Sequence, residues 1–427
     1  MDFNQNLAVT RAEALELLAG HWPLKTETEL IPVRKALGRV TTQNVYSRNT
    51  LPVCRSSRSD GIAVRSADFI NGLPDTSGWV KGREFIRADT GDDFPDHFDT
   101  VIPVENIFYT DDGRLCFADG FSFLKGSCIR NEGSLVKKGD LLVKANVRLT
   151  PVHLAALALG GIYQLEVIKR PKVVYMPTGN ELVAAGIKPE RGQNVESNGL
   201  MVSAFLQQWE AEPVCYPIIK DNPAELEQAL DMALVAGDII LINGGSSKGE
   251  EDFNARLLQK RASFFRHGIK MIPGRPVAIA IIEGKPVINV PGPVIATFLA
   301  MDWCVIGLVH HYYGLAVPER PKIKVRLEKP LQKNPDIEVY TWLALMKQDD
   351  GYTASSLGYD KSIPSLLVEA DALFIAPIGT TGYQAGDEVE AELLRGPENI
   401  SNSRPCKQEG IVKISCASSS SGIIRCC

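Results

Sequence analysis

The stretch PKVVYMPTGNEL (Pro171–Leu182) decides the fold. Val173–Met176 is a compact apolar run bounded by Pro171 and Pro177, and it reads as a buried strand. Thr178-Gly179-Asn180-Glu181 follows as a turn. Downstream the pattern alternates. Asn198–Trp209 reads as a helix, Val214–Ile219 as a strand, Ala224–Val235 as a helix and Asp238–Ile242 as a strand. Val277–Ile282 and Val287–Val290 add strands, and Pro293–Val309 reads as a buried helix. Alternation at this spacing predicts an α/β unit with a parallel sheet covered by helices on both faces.

Outward from this unit the character changes twice. Toward the N-terminus, residues 7–22 carry apolar residues at helical spacing, with Thr10 and Glu13 placed for a capping box. A second helix is expected at Pro151–Leu159, ended by Gly160-Gly161. Between them, residues 46–141 hold short apolar runs split by turn residues. Thr100–Phe117 reads as strand, Asp-Asp-Gly turn, strand, which is a hairpin signal. Toward the C-terminus, Pro318-Glu319-Arg320-Pro321 is a linker. Strands dominate Lys322–Leu394, with a helix at Ile363–Ala370, and a small β-barrel or sandwich fits. Residues 397–427 lose all pattern and include the serine run Ser418–Ser421, so a disordered tail is expected.

The chain has 427 residues, enough for two to four domains. It carries 46 Lys and Arg against 51 Asp and Glu, a net charge of −5. Binding of nucleic acid by bulk charge is thereby excluded, because phosphate neutralisation needs a basic face. The N-terminus MDFNQNLAVT has no basic region followed by an apolar run, so no secretory signal is read. Val294–Val309 is short for a bilayer span and carries Asp302, which argues against a membrane protein. Nine cysteines with no Cys-x-x-Cys pair fit reduced thiols in a cytoplasmic protein better than a zinc site.

In parallel α/β sheets, ligands bind beyond the carboxyl ends of the strands. Two loops lie there: Thr178–Glu181, and Asn243-Gly244-Gly245-Ser246-Ser247-Lys248-Gly249-Glu250-Glu251-Asp252. Their glycines let backbone N–H groups approach an anion. Ser246 and Ser247 offer hydroxyl donors and Lys248 a point charge. Glu181 and Asp252 are oxygen donors for a divalent cation. No Walker A pattern is present. Taken singly, each feature has a plainer reading: tight-turn glycines for the loop, a solvated carboxylate for Glu181, a helix N-cap for Asp252.

Taken in order, the motifs resemble those of the molybdopterin molybdenumtransferase family, the MoeA type also seen in the E domain of gephyrin. Ser57-Arg58-Ser59-Asp60-Gly61-Ile62-Ala63-Val64 is similar to Ser-x-Met-Asp-Gly-[Tyr/Phe]-Ala-Val. Thr90-Gly91 with Pro95, Asp99 and Val101 resembles a Thr-Gly segment of the family. Arg170-Pro171 with Thr178-Gly179-Asn180-Glu181-Leu182 resembles Arg-Pro with Thr-Gly-Asp-Glu-Leu. The Gly244–Asp252 loop is similar to Gly-Gly-Val-Ser-x-Gly-x-x-Asp. Pro273-Gly274-Arg275-Pro276 and Pro291-Gly292-Pro293 stand for Pro-Gly-Lys-Pro and Pro-Gly-Asn-Pro.

The resemblance implies a multidomain α/β protein with β-rich parts. A helical part would comprise residues 1–45 with 142–170, a β-rich insert 46–141, a molybdopterin-binding α/β domain 171–317 and a β-barrel 318–396. It implies an elongated homodimer acting downstream of a molybdopterin-adenylylating enzyme. The implied reaction takes molybdate and adenylylated molybdopterin to the molybdenum cofactor and AMP, with Mg²⁺. Asp60, Thr90, Glu181 and Asp252 would be catalytic, with Asp60, Glu181 and Asp252 on the metal. Asp60 and Thr90 would face the α/β domain of the other subunit. Thr178, Gly179, Gly244, Gly245, Ser246, Ser247, Pro291 and Gly292 would cradle substrate, and Lys248 and Arg275 would attract molybdate.

The sequence also departs from the family pattern. Arg130-Asn131-Glu132-Gly133-Ser134-Leu135 lacks two carboxylates of Arg-x-x-Gly-Glu-Asp. Ile272 and Arg275 replace lysines, and the loop at Pro291–Pro293 is one residue short. Asp92, Asp93 and His97 alter the Thr-Gly segment. These departures admit a second reading, a catalytically weakened paralogue that carries molybdopterin or the finished cofactor, or serves as a scaffold. Lys248 and Lys270 are expected to restore part of the positive potential lost with the two lysines.

Overall fold

The structure is a computed structural model that describes residues 8–245, 253–331, 334–358 and 363–400. In chain order the elements used below are α1 (Arg11–His21), α2 (Pro151–Leu159), β1 (Lys172–Pro177), α3 (Asn198–Gln208), β2 (Glu212–Cys215), α4 (Pro223–Ala236), β3 (Ile239–Asn243), α5 (Phe253–Arg261), β4 (Phe264–His267), β5 (Ala278–Ile282), β6 (Lys285–Val290) and α6 (Val294–Tyr313).

The sheet order is β2-β1-β3-β6-β5-β4. The first four strands run parallel, as the alternation implies. β5, expected as a strand at Val277–Ile282, and β4, which the sequence reading left out, extend the sheet antiparallel, a direction the hydrophobic pattern did not reveal. Side-chain alternation assigns the two faces. Val173, Tyr175, Ile239, Leu241 and Ile288 pack with α3, α6 and α1. Val174, Met176, Ile240, Ile242 and Val287 pack with Leu226, Leu230 and Leu234 of α4 and Leu258 of α5. Strands buried on both faces explain why these runs are continuously apolar.

α6 is longer than the sequence reading. It runs to Tyr313 through a π-helical turn at Met301–Val305 and ends on Gly314 in the left-handed conformation. Its length and composition would permit a membrane span, but Leu299, Met301, Trp303, Val305, Leu308 and Val309 are buried in the core. Asp302 forms an ion pair with Arg320.

α1 starts at Thr10 with the expected capping box: the Glu13 N–H donates to Thr10 Oγ1 (3.2 Å) and the Thr10 N–H to Glu13 Oε2 (2.7 Å). α2 has the expected bounds. Thr28–Pro32 pairs antiparallel with Gln164–Ile168, a long-range pairing absent from the sequence reading.

Between these helices, Gly61–Val64 is the central strand of a three-stranded antiparallel sheet, flanked by Phe85–Ala88 and Thr100–Pro103. The hairpin is shorter than expected. Thr100–Pro103 belongs to that sheet, and only Ile107–Tyr109 with Leu115–Phe117 forms the hairpin around Asp111–Gly113.

C-terminally, five strands close a barrel. Glu338–Gln348 pairs with Gly351–Leu357 and with Ala372–Ala376, and the ring continues through Glu388–Leu393 and Lys322–Leu327. A sixth piece, Met271–Ile272 from the α/β unit, adds parallel to Glu338–Val339. The expected tail starts too early, since Pro397–Asn399 is a 3-10 turn and Ile400 is buried in the barrel core. The remainder of that segment, 401–427, lies outside the described residues.

Candidate functional site

The four parallel strands point their carboxyl ends the same way, and the strand order reverses between β1 and β3. From β1 the chain passes through α3 to β2; from β2 it returns through α4 to β3. Such a reversal opens a crevice at the strand ends. Thr178–Glu181 leaves β1 there, Gly244-Gly245 leaves β3, Pro291-Gly292 leaves β6, and α3 begins alongside. Six of the substrate-binding residues expected from the sequence (Thr178, Gly179, Gly244, Gly245, Pro291, Gly292) are thus brought together, with Glu181.

An amide on the last residue of β3 organises this end of the sheet. Asn243 Nδ2 donates to the Pro291 carbonyl (2.9 Å) and to Thr297 Oγ1 (3.0 Å). Asn243 Oδ1 accepts from Asn198 Nδ2 at 2.9 Å, and the Tyr175 hydroxyl stands at the same distance. Asn198 Nδ2 also donates to the Gly292 carbonyl (2.8 Å). Backbone carbonyls thereby fix both amide orientations. The Tyr175 hydroxyl has one proton and two acceptors, Asn243 Oδ1 and Glu196 Oε1, each at 2.9 Å. Burial, reinforced by the Glu196 carboxylate, pushes this phenol far above its ordinary value and keeps it a donor. Glu196 Oε1 also accepts the Gly199 N–H (2.9 Å), placing a carboxylate in the first turn of α3, where the helix dipole favours it.

The loop glycines act by shape more than by donation. The Gly244 N–H is engaged by the Val290 carbonyl (3.0 Å) and the Gly179 N–H by the Ile219 carbonyl (3.1 Å). Neither can cradle a phosphate through its N–H, which corrects the expectation for these two residues. Among the described residues, the N–H groups of Gly245 and Gly292 have no hydrogen-bond partner and remain for an anion. The Gly244 carbonyl is pinned by Asn289 Nδ2 (2.7 Å) and Asn254 Nδ2 (2.8 Å), and Thr178 Oγ1 accepts from Asn254 at 3.2 Å.

Glu181 folds back over Gly179: a Cβ built on Gly179 would lie 2.6 Å from Glu181 Oε2. The loop is clamped by Asp221, which the sequence reading passed over. Asp221 Oδ2 accepts the Asn180 N–H (3.0 Å), and the Asp221 N–H donates to Asn180 Oδ1 (3.2 Å). Two carboxylates, Glu181 and Asp221, thus stand on facing loops at the strand ends. Asn254 and Asn289 were also missed, and Asn243 and Asn198 were read only as the start of a loop and of a helix, because single polar residues at element ends carry no periodic signal.

The other expected residues lie elsewhere or undescribed. Asp60 and Thr90 meet each other in the insert. The Thr90 N–H donates to Asp60 Oδ1 (2.7 Å), and this backbone hydrogen bond holds the carboxyl below the ordinary aspartate range. Asp92 shapes the same turn: its carboxylate accepts the Asp89 N–H (3.0 Å) and its carbonyl the Ser57 N–H (2.9 Å). Among the described residues, no hydrogen bond or ion pair joins Asp60 or Thr90 to the crevice. Arg275 is exposed on the turn between β4 and β5. Lys270 lies near the start of α1, where its charge adds to the lowering of the Glu13 carboxyl that the Thr10 N–H mainly causes. Ser246, Ser247, Lys248 and Asp252 lie outside the described residues, and so does the expectation that Lys248 shares the lost charge with Lys270.

Three family models match the chain in order. They are the MoeA N-terminal region (domain I and II) over residues 9–161, a probable molybdopterin binding domain over 175–311, and the MoeA C-terminal region (domain IV) over 324–394. The chain belongs to the MoeA family. It is 29% identical over 327 residues to a molybdopterin molybdenumtransferase of Haemophilus influenzae, covering 73% of this chain and 78% of that one. It is 28% identical to the Nostoc protein of the same name, covering 85% of this chain and 88% of the relative. Among solved structures, a MoeA molybdopterin biosynthesis protein from Pyrococcus horikoshii superposes with a TM-score of 0.73 at 25% identity. That match covers 91% of this chain and all of the other. The crevice at the β1/β3 reversal therefore lies within the region matched to the molybdopterin-binding model, and the barrel within the MoeA C-terminal region.

Proposed function

We propose that this MoeA-family chain is a transferase of molybdenum cofactor biosynthesis, inserting molybdate into adenylylated molybdopterin with release of AMP. The observation that carries the reading is the crevice at the strand reversal, in the region matched to a molybdopterin-binding model within a chain similar along most of its length to molybdopterin molybdenumtransferases. Its polar groups suit the substrate. Free N–H groups at Gly245 and Gly292 offer donors to phosphate oxygens. Glu181 and Asp221 lie on the two loops that the Asn180–Asp221 clamp joins.

The finer reading concerns metal, assembly and roles. Among the described residues, no group of three or more His, Cys, Asp or Glu is arranged to hold a metal. Magnesium needs only one or two carboxylates when phosphates supply the rest, and oxygen donors suit it. Glu181 and Asp221 fit that requirement, with Asp252 as a third ligand. The ion would neutralise charge on the phosphoanhydride. Asp60 and Thr90 reach this site from the insert of a second copy, which makes a homodimer the working unit. The Thr90 N–H holds the Asp60 carboxyl below the ordinary aspartate range, and the insert presents it as a carboxylate. Arg275 attracts molybdate, a tetrahedral dianion, with a guanidinium fork. The protein works in the cytoplasm, downstream of the enzyme that adenylylates molybdopterin.

The test is direct. Purified protein receives adenylylated molybdopterin, molybdate and Mg²⁺, and AMP is measured against time. Catalytic AMP release is expected; stoichiometric pterin binding without AMP release overturns the reading.

A further inference from the structure

The turn carrying Arg275 is held from outside the α/β unit. The chain leaves the sheet at His267 and returns at Ala278. Between them the turn closes on itself: the Ile269 N–H donates to the Arg275 carbonyl (2.9 Å) and the Gly268 N–H to the Val277 carbonyl (3.0 Å). One flank of this segment is bonded to the chain just before α1. The Val9 N–H donates to the Gly268 carbonyl (3.2 Å) and the Lys270 N–H to the Val9 carbonyl (2.8 Å). The other flank is bonded to the barrel. The Glu338 N–H donates to the Lys270 carbonyl (2.9 Å), and Met271 and Ile272 stand in parallel register with Glu338 and Val339.

A charged fork closes the ring. Arg11, two residues after Val9, reaches Glu338 with Nε to Oε2 at 2.5 Å and an Nη to Oε1 at 3.1 Å. Its guanidinium lies 5.1 Å over the Tyr340 ring. Both partners are largely buried, with side-chain exposures of 24% and 19%. A pair so placed adds little net stability, because desolvation offsets attraction. What a bidentate fork supplies is direction. Here it sets the first residues of α1 against the barrel strand, with the Arg275 turn bonded to both. The Arg275 guanidinium itself is exposed and, among the described residues, engages no hydrogen bond or ion pair.

We propose that Arg11 and Glu338 are positioning residues for the anion-binding turn 272–276, fixing where Arg275 presents its charge to molybdate. This rests on the role given above to Arg275. Neither Arg11 nor Glu338 touches substrate; they act through the backbone of residues 268–272. The oxyanion site is then assembled jointly by three parts of the chain: the segment before α1, the α/β unit and the barrel.

The experiment compares R11Q, R11K, E338Q, the charge swap R11E/E338R and R275A with the wild type. It measures AMP release against molybdate and against adenylylated molybdopterin, and molybdate binding by calorimetry without pterin. R11Q and E338Q should raise the molybdate KM about tenfold while kcat and the pterin KM stay within about twofold. R11K should be impaired despite keeping the charge, and the swap should recover molybdate affinity. Circular dichroism checks that each variant is folded, and the swap keeps the test open if a single variant is not. If R275A weakens molybdate while R11Q and E338Q bind it as the wild type does, this inference alone falls. If R275A leaves the molybdate KM unchanged, the reading of Arg275 falls and takes this one with it. A loss spread equally over kcat and both KM values marks a merely structural pair and overturns the proposal.

Discussion

Thr178 and Gly244 meet where the strand order of the sheet reverses. The Thr178 N–H donates to the carbonyl of Asn243 at 2.8 Å, and a Cβ built on Gly244 would stand 2.6 Å from the Thr178 carbonyl oxygen and 2.7 Å from its hydroxyl. Gly244 also has φ +115°, which L side chains rarely adopt. The two loops that form the crevice therefore approach each other only because residue 244 has no side chain. Gly244→Ala should separate them. We expect a cost of about 1–3 kcal/mol in unfolding free energy, read by denaturant titration, and a much larger loss of pterin affinity, read by equilibrium binding. A G244A protein with wild-type pterin affinity would show that the approach of these loops is irrelevant to binding.

Asn243 ties β1, α3, the 291–292 loop and Thr297 through one amide. Tyr175, Asn198 and the Pro291 carbonyl each keep a second partner when it is removed, namely Glu196, the Gly292 carbonyl and Thr297. Asn243→Ala should accordingly cost a moderate amount, about 2–3 kcal/mol. Asn243→Asp should cost more at neutral pH, because a carboxylate oxygen replaces Nδ2 opposite the Pro291 carbonyl. Such a group has a folded-state pKa above its unfolded value. Its protonation favours the fold below the unfolded pKa, and that benefit is lost as pH rises through the folded pKa. N243D should thus be less destabilised near pH 5 than near pH 8, and thermal unfolding across that interval decides it.

Asp60 titrates in the opposite sense. The Thr90 N–H, followed by the Thr90 side chain, holds its carboxyl below the ordinary aspartate value of 3.8. A depressed folded-state pKa means the interaction is fully present above the unfolded pKa and is lost as pH falls through the folded one. The turn at Thr90 should therefore stay closed at neutral pH and loosen only in acid below the ordinary aspartate range. Carboxyl carbon NMR of Asp60 reads this directly. Thr90→Ala, which keeps the backbone donor, should retain most of the depression; a return to the ordinary value would assign it to the hydroxyl instead.

Much of the fold was legible because its signals are local. The Thr10–Glu13 capping box, Gly160-Gly161 after α2, and the apolar runs of β1 and β3 each announce an element within a few residues. Pairings such as Thr28–Pro32 with Gln164–Ile168, or Met271–Ile272 with the barrel, depend on partners far along the chain and leave no periodic trace. The site divides the same way. Glycine-rich loops after strands pointed to the crevice, whereas Asp221 and Asn243 act through partners that only the folded chain supplies. The loops were also expected to offer their glycine N–H groups, but Gly179 and Gly244 turn theirs inward. A motif records that a glycine is required, and the reason lies in the contacts a Cβ would make.

The proposed composite site gives the last prediction. Asp60 and its partner Thr90 form a self-contained turn in the insert, while Glu181 is held at the crevice by the Asn180–Asp221 clamp. If one catalytic centre takes Asp60 from one copy and Glu181 from the other, each single variant loses both centres of its homodimer. D60N and E181Q should each lower AMP release at least about a hundredfold. In a mixed dimer, one centre combines both altered residues and the other is assembled entirely from native ones. Random exchange makes half the dimers mixed, each with one intact centre of two, so activity should return to about a quarter of wild type. The two purified variants are unfolded together, refolded and assayed beside each alone. If both carboxylates serve one centre within a single chain, every centre in the mixture stays defective, and activity remains at the level of the separate variants. That outcome would overturn the shared site while leaving the transferase reading intact.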